Sequence, residues 1–292
     1  MIFQNREIIK HRQVERHADL PFEEYLFANG FYVSFAPNCP EEVKTTIFQQ
    51  TGLSGSEWFK RNLKRVNSRR RMSFENVAKV DGESVTYVIK EKSLKPKDPK
   101  QPDLDIPRYT TSAFHEMRTS FLLADILEKN KEQITSQIPF QDQMLTVQYE
   151  VQLPWAAIIN TKPGLQKQEK YSVFQYLPGT SVRNELASEG GWNNASEEQR
   201  KLFGQIDKNI SNLSRVLVDN GLEPYDLGAH QVVYTINLER NCITLGILDT
   251  EEFRPFSGEK ESPRLWNDSW YKHGLPSVLI ISSIWGMDAF DD

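Results

Sequence analysis

The sequence predicts an α+β protein of two lobes. Three observations carry that expectation. β-type alternation around an Asp-Gly turn marks a hairpin near residues 77–89, and further β-like runs follow at 145–178. Helical spacing dominates 112–128 and again from Asn194 to Asn220. Pro178-Gly179 breaks the last β-like run and separates the β-rich block from a helical one. The chain has 292 residues, 38% of them apolar and 11% aromatic, enough for a core and too many for a wholly disordered chain.

The elements follow in chain order. Residues 1–60 read as helical and polar. Pro21 to Phe27 fits a short amphipathic helix stopped by Gly30, and Pro40-Glu41-Glu42 opens another that runs to about Gln50 and closes at Gly52. Ser56 is placed to cap a third, through Trp58 and Leu63. Val77, Val80, Val85, Tyr87 and Ile89 alternate around Asp81-Gly82-Glu83-Ser84. The Pro- and Lys-rich stretch Glu91–Arg108 has no period and reads as an exposed loop. Phe114, Met117, Phe121, Leu122 and Ile126 then recur at helical spacing. Two β-like runs, separated by the turn-like 161–170, lead to Pro178-Gly179. Asn194-Ala195-Ser196 opens a long helix with Leu202, Ile206, Ile210, Leu213 and Leu217 on one stripe. Val232–Ile236 and Ile243–Leu248 form a short hairpin, and a further helix is expected after Pro276. The expected divisions are a helical N-terminal extension at 1–65, a β-rich lobe at 66–178 and a helical lobe at 179–292.

Composition excludes several classes of function. Thirty-five Lys and Arg against 40 Asp and Glu give a net charge of -5, which does not fit a general polyanion binder. Cys39 and Cys242 form neither a disulfide framework nor a CxxC metal pair, and the five His lack HExxH spacing. The charged N-terminus lacks the apolar stretch of a secretory signal, and the longest apolar run, Leu275–Trp285, falls short of the ~18 residues that span a bilayer. The expectation is a cytoplasmic protein without membrane contact, with signal-independent export left open. Against the acidic total stands Lys60–Arg71, with seven basic residues and no acid. It reads as a solvated face or as a contact for an anionic ligand, Arg69, Arg70 and Arg71 included. Nucleic acid is the weaker reading, because no aromatics interleave to stack on bases.

The chemistry concentrates in Glu223–Phe253. Asp226 and Gln231 form a D-x-x-x-x-Q spacing. A hairpin follows, and its second strand ends in Ile247-Leu248-Asp249. Phosphoryl transfer needs one carboxylate to orient the acceptor hydroxyl, and a second carboxylate with an amide oxygen to hold Mg²⁺ against the phosphates.

These residues resemble the protein-kinase-like superfamily, closer in style to aminoglycoside and choline kinases than to eukaryotic protein kinases. Pro224-Tyr225-Asp226-Leu227-Gly228-Ala229-His230-Gln231 stands where that family carries its HGDLHPGN-type loop. The resemblance implies a two-lobed kinase-like fold, with Asp226 as the catalytic Asp, Gln231 in place of the metal-binding Asn, and Asp249 as the second metal ligand. Tyr171 to Thr180, YSVFQYLPGT, is similar to the hinge of small-molecule kinases. It implies adenine contact along Gln175, Tyr176 and Leu177, with Phe174 at the gatekeeper position. Val88-Ile89-Lys90 resembles the VAIK strand, so Lys90 would reach the α/β phosphates, with Lys92 the alternative. Glu116 resembles its helix partner.

ATP with Mg²⁺ or Mn²⁺ is then the implied cofactor, and a small molecule or protein hydroxyl the acceptor. The departures are Gln231 for Asn, Pro224-Tyr225 for the usual His-Gly, and Asn67 to Ser73 where a Gly-rich loop is expected. They keep open a pseudokinase that acts as a nucleotide-binding or interaction module. Transfer of another group, such as AMP, also stays open, as does an adaptor built on the basic segment.

Overall fold

A computed structural model of the chain describes residues 22–64, 76–91, 113–160, 170–224, 227–228, 231–250 and 253–255. The elements begin with β1 (Glu23–Leu26), β2 (Phe31–Phe35), α1 (Glu41–Ser54), α2 (Glu57–Lys64), β3 (Asn76–Asp81), β4 (Thr86–Glu91) and α3 (Ala113–Lys129). Next come α4 (Lys131–Ile134), β5 (Gln137–Phe140), β6 (Gln143–Val151), β7 (Pro154–Asn160) and β8 (Lys170–Gln175). The last are β9 (Thr180–Ser181), α5 (Val182–Ser188), α6 (Glu197–Asp219), β10 (Leu222–Pro224), β11 (Val232–Asn237), β12 (Cys242–Ile247) and β13 (Phe253–Pro255). The class is α+β, as the sequence predicts. Among the described residues no helix is long and apolar enough to cross a membrane.

The described residues fall into two compact units. Those up to Arg118, with Leu153–Tyr176, form the first. Thr119–Gln152 and those from Leu177 onward form the second. The first unit is built on a six-stranded antiparallel sheet in the order β1-β2-β7-β8-β4-β3. One face carries Phe31, Val33, Phe35, Tyr87, Ile89, Ile158 and Val173 into an apolar core with Val43 and Ile47 of α1 and Phe59 and Leu63 of α2. The Phe59 ring stacks on Tyr171 with centroids 4.6 Å apart. Side chains alternate across a strand, so the neighbours of Ile89, Val88 and Lys90, face the other way.

Here the structure corrects the helix expected from Pro21 to Phe27. Glu23–Leu26 is a strand, paired antiparallel to β2 through a tight reversal. Phe27 N donates to Phe31 O at 2.8 Å, Gly30 N donates to Phe27 O at 2.9 Å, and Gly30 takes a φ of 85°. Asn29 Oδ1 accepts from Phe31 N, and its amide donates to Thr51 O at 2.7 Å. The apolar spacing of Phe22, Tyr25 and Leu26 fits a helix. Pairing with a fully buried β2 wins instead, and Tyr25 and Phe27 pack on Phe48 of α1. α1 also runs past Gly52. It ends at Gly55, whose φ of 58° lets its N–H turn back to Thr51 O.

The second unit holds a five-stranded sheet, β5-β6-β12-β11-β9. β6 and β12 run parallel, from Cys242↔Thr146 to Ile247↔Val151, and the other pairs are antiparallel. α6 opens on a capping box in which Ser196 Oγ accepts from Gln199 N and the Gln199 side chain accepts from Ser196 N. Its stripe, Leu202, Phe203, Ile206, Ile210, Leu213 and Leu217, is buried, and the helix packs on β5 and β10. β10 and β13 form a small separate pair. β1 and β2 belong to the sheet that carries β4, and β5 and β6 belong to the sheet of β11 and β12, because β6 is the parallel neighbour of β12.

Candidate functional site

In the first unit the register across the sheet assembles three of the expected residues. β4 pairs with β8 so that Lys90 lies opposite Ser172 and Val88 opposite Phe174. Partners across strands share a face, and Phe174 is the diagonal neighbour of Lys90, close enough for a long side chain to reach. Lys90 Nζ stands 4.6 Å from the Phe174 ring centroid, within cation–π range. It donates to Glu116 Oε1 at 3.0 Å. Glu116 sits in the first turn of α3, where a carboxylate also complements the helix dipole.

Burial decides the character of this pair. Lys90 is 6% exposed and Glu116 0%. A surface pair contributes little to stability, but here both charges sit in a low-dielectric interior, where an opposite charge at 3.0 Å counts for more. Gln175 and Tyr176 follow at the end of β8, both half-buried. Gln175 N donates to Leu153 O at 2.9 Å, and Lys79 Nζ lies 4.6 Å over the Tyr176 ring.

In the second unit, hairpin geometry brings Gln231 and Asp249 to one end. Val232 opens β11 and is the partner of Ile247, which closes β12. Gln231 and Leu248 are therefore the next residues out on paired strands, and Leu248 N donates to Gln231 O at 2.9 Å. Gln231 N in turn donates to Gly228 O at 3.0 Å. Asp249, half-buried, comes immediately after. Leu177, at the start of this unit's C-terminal portion, is buried. It lies beside Gly246, where an added Cβ would meet Leu177 Cδ1 and Val233 Cγ2, each at 3.0 Å.

The donor set suits a hard cation. A carboxylate and an amide oxygen are the ligand types Mg²⁺ takes, and that ion is usually held by one or two carboxylates together with substrate phosphates. Among the described residues no three His, Cys, Asp or Glu side chains cluster into an all-protein cage.

Asp226, Arg69, Arg70 and Arg71 lie outside the described residues, as do Lys92 and His230. Of the basic segment, Lys60 pairs with Glu57 at 3.5 Å and Arg61 Nε donates to Glu57 O at 3.4 Å, local contacts on an exposed face of α2.

Sequence reasoning missed one group beside Asp249. Thr250 is buried, and its hydroxyl lies 2.8 Å from Ser120 Oγ and 3.2 Å from Thr119 Oγ1 on α3. The signal was Thr119-Ser120, two adjacent hydroxyl residues just ahead of the apolar run Phe121-Leu122-Leu123. No protein-family model matches the chain, and no curated protein sequence does either.

Proposed function

We propose that the chain is a kinase-like phosphotransferase that uses Mg-ATP to phosphorylate a hydroxyl on a small molecule or a protein. The observation that carries this reading is the buried Lys90–Glu116 ion pair beneath Phe174. A lysine on a strand, held by a glutamate on the next helix, is how kinases orient the α/β phosphates. Fixed by Glu116, Lys90 supplies a directed ammonium at little cost in ordering. The backbone from Gln175 to Leu177 is assigned to adenine. Asp226 takes the proton of the acceptor hydroxyl as its oxygen bonds to the γ-phosphorus and the bond to the ADP oxygen breaks. Asp249 and Gln231 would hold Mg²⁺, which when bound offsets charge on the phosphates.

Thermal-shift titration with ATP, with and without Mg²⁺ or Mn²⁺, tests the reading, followed by mass spectrometry of products. The expected result is a metal-dependent upward shift, with ADP and a phosphorylated product from wild type and neither from Asp249→Ala. No shift under either metal would overturn it. Binding without turnover would favour a pseudokinase, and pyrophosphate release would mark AMP transfer.

A further inference from the structure

We infer that Thr119, Ser120 and Thr250 are positioning residues for Asp249, an inference that rests on the metal-binding role proposed for that carboxylate. Asp249 is bracketed. On its N-terminal side, Leu248 N donates to Gln231 O at 2.9 Å. On its C-terminal side, the Thr250 carbonyl accepts from Thr119 Oγ1 at 2.9 Å and from Phe253 N at 3.1 Å. The Thr250 hydroxyl is held as well, 2.8 Å from Ser120 Oγ. Thr119 and Ser120 are each 1% exposed and Thr250 2%.

A valine would fill the volume of Thr250 without the penalty of burying a hydroxyl. Hydroxyls differ from methyl groups in having direction. Two of them, on Thr119 and Ser120, meeting the hydroxyl and carbonyl of Thr250 select one rotamer and one backbone arrangement, where apolar packing tolerates several. With both flanking residues held, the backbone on either side of Asp249 is fixed in place. A site in which the ligand side chain is held by neighbours binds metal tighter than one in which ordering accompanies binding.

The test uses Mn²⁺ binding in the presence of ATP, read by electron paramagnetic resonance, on the full chain. Amide exchange of residues 247–253 is measured alongside. Thr250→Val is expected to weaken Mn²⁺ binding by about 10-fold or more, the range seen when outer-shell partners of ligands are removed. Its exchange in that segment should rise. Thr250→Ser, which keeps the hydroxyl, should bind within about 2-fold of wild type by the same reasoning. Should Thr250→Val not fold, Ser120→Ala, which loses one bond, carries the same expectation. A merely structural cluster would lower the melting temperature and leave Mn²⁺ affinity unchanged, and that result overturns the inference while the proposed function stands. A wild type that binds no more Mn²⁺ with ATP than Asp249→Ala does would overturn the proposed function and this inference together.

Discussion

Lys90 and Glu116 illustrate how a single pair of residues depends on its surroundings. Each is buried, and each charge is compensated by the other at 3.0 Å. Removing one partner takes this ion pair from the other, so Glu116→Leu is expected to lower stability by about 3–5 kcal/mol. Lys90→Met with Glu116→Leu removes both charges at similar volume and should lose far less. Urea denaturation of Lys90→Met, Glu116→Leu and the double variant measures this, and losses that simply add would refute the coupling. Both residues are legible in the sequence, as a lysine closing a β run and a glutamate opening a helix. Their contact is only half legible, since it depends on which face of β4 meets α3. Phe174 is similar. Its position near the end of β8 is readable, but its place beside Lys90 Nζ follows from register, and register is set by pairing between strands distant in sequence.

Among the elements, the β3–β4 hairpin is the clearest case of local chemistry agreeing with structure. Its Asp81-Gly82 turn is readable directly, but α1 adds something the turn alone does not show. Glu42 on α1 accepts from the Ser84 hydroxyl, from Glu83 N, and from Ser84 N at 3.0 Å. Glycine is required at 82, because a Cβ there would run into the Glu42 carboxylate and lie 2.7 Å from Val85 O. These hydrogen bonds, that of Ser84 Oγ first, hold the Glu42 carboxyl below its usual 4.5. A depressed carboxylate contributes stability above its unfolded value and loses it as pH falls through the folded one. The advantage of wild type over Glu42→Gln should therefore be full at neutral pH and vanish as pH is taken well below 4.5. Denaturant midpoints across that range read the difference, and a constant gap would contradict it. The N-terminal hairpin is the element the sequence misleads on. Phe22, Tyr25 and Leu26 satisfy helical spacing, while Asn29-Gly30 before Phe31–Phe35 is the hairpin signal that prevails. β2 hides its strand character because all five residues are buried, so no alternation is visible.

At the scale of the whole molecule the chain interleaves its two units, and this has a direct consequence. Residues 179–292 read as a lobe from sequence, yet β12 within them needs β6 as its parallel neighbour. Expressed alone, that fragment should show poor amide dispersion and weak far-ultraviolet signal, because β12 would be left as an apolar edge. A cooperatively folded 179–292 fragment would refute the expectation. The sequence by itself determined the α+β class, the β3–β4 hairpin, the spans of α3 and α6, the β11–β12 hairpin, and the closeness of Gln231 to Asp249. All of these are written in periodicity, turn residues and capping within short windows. Tertiary structure alone decided that β1 and β2 join the sheet of β4, that β5 and β6 join that of β12, and that Lys90 meets Phe174. It also decided that Thr119 and Ser120 hold Thr250. Each of these is a contact between segments far apart in the chain, selected by burial and hydrogen-bond satisfaction across the assembled fold, and neither leaves a mark on local sequence pattern.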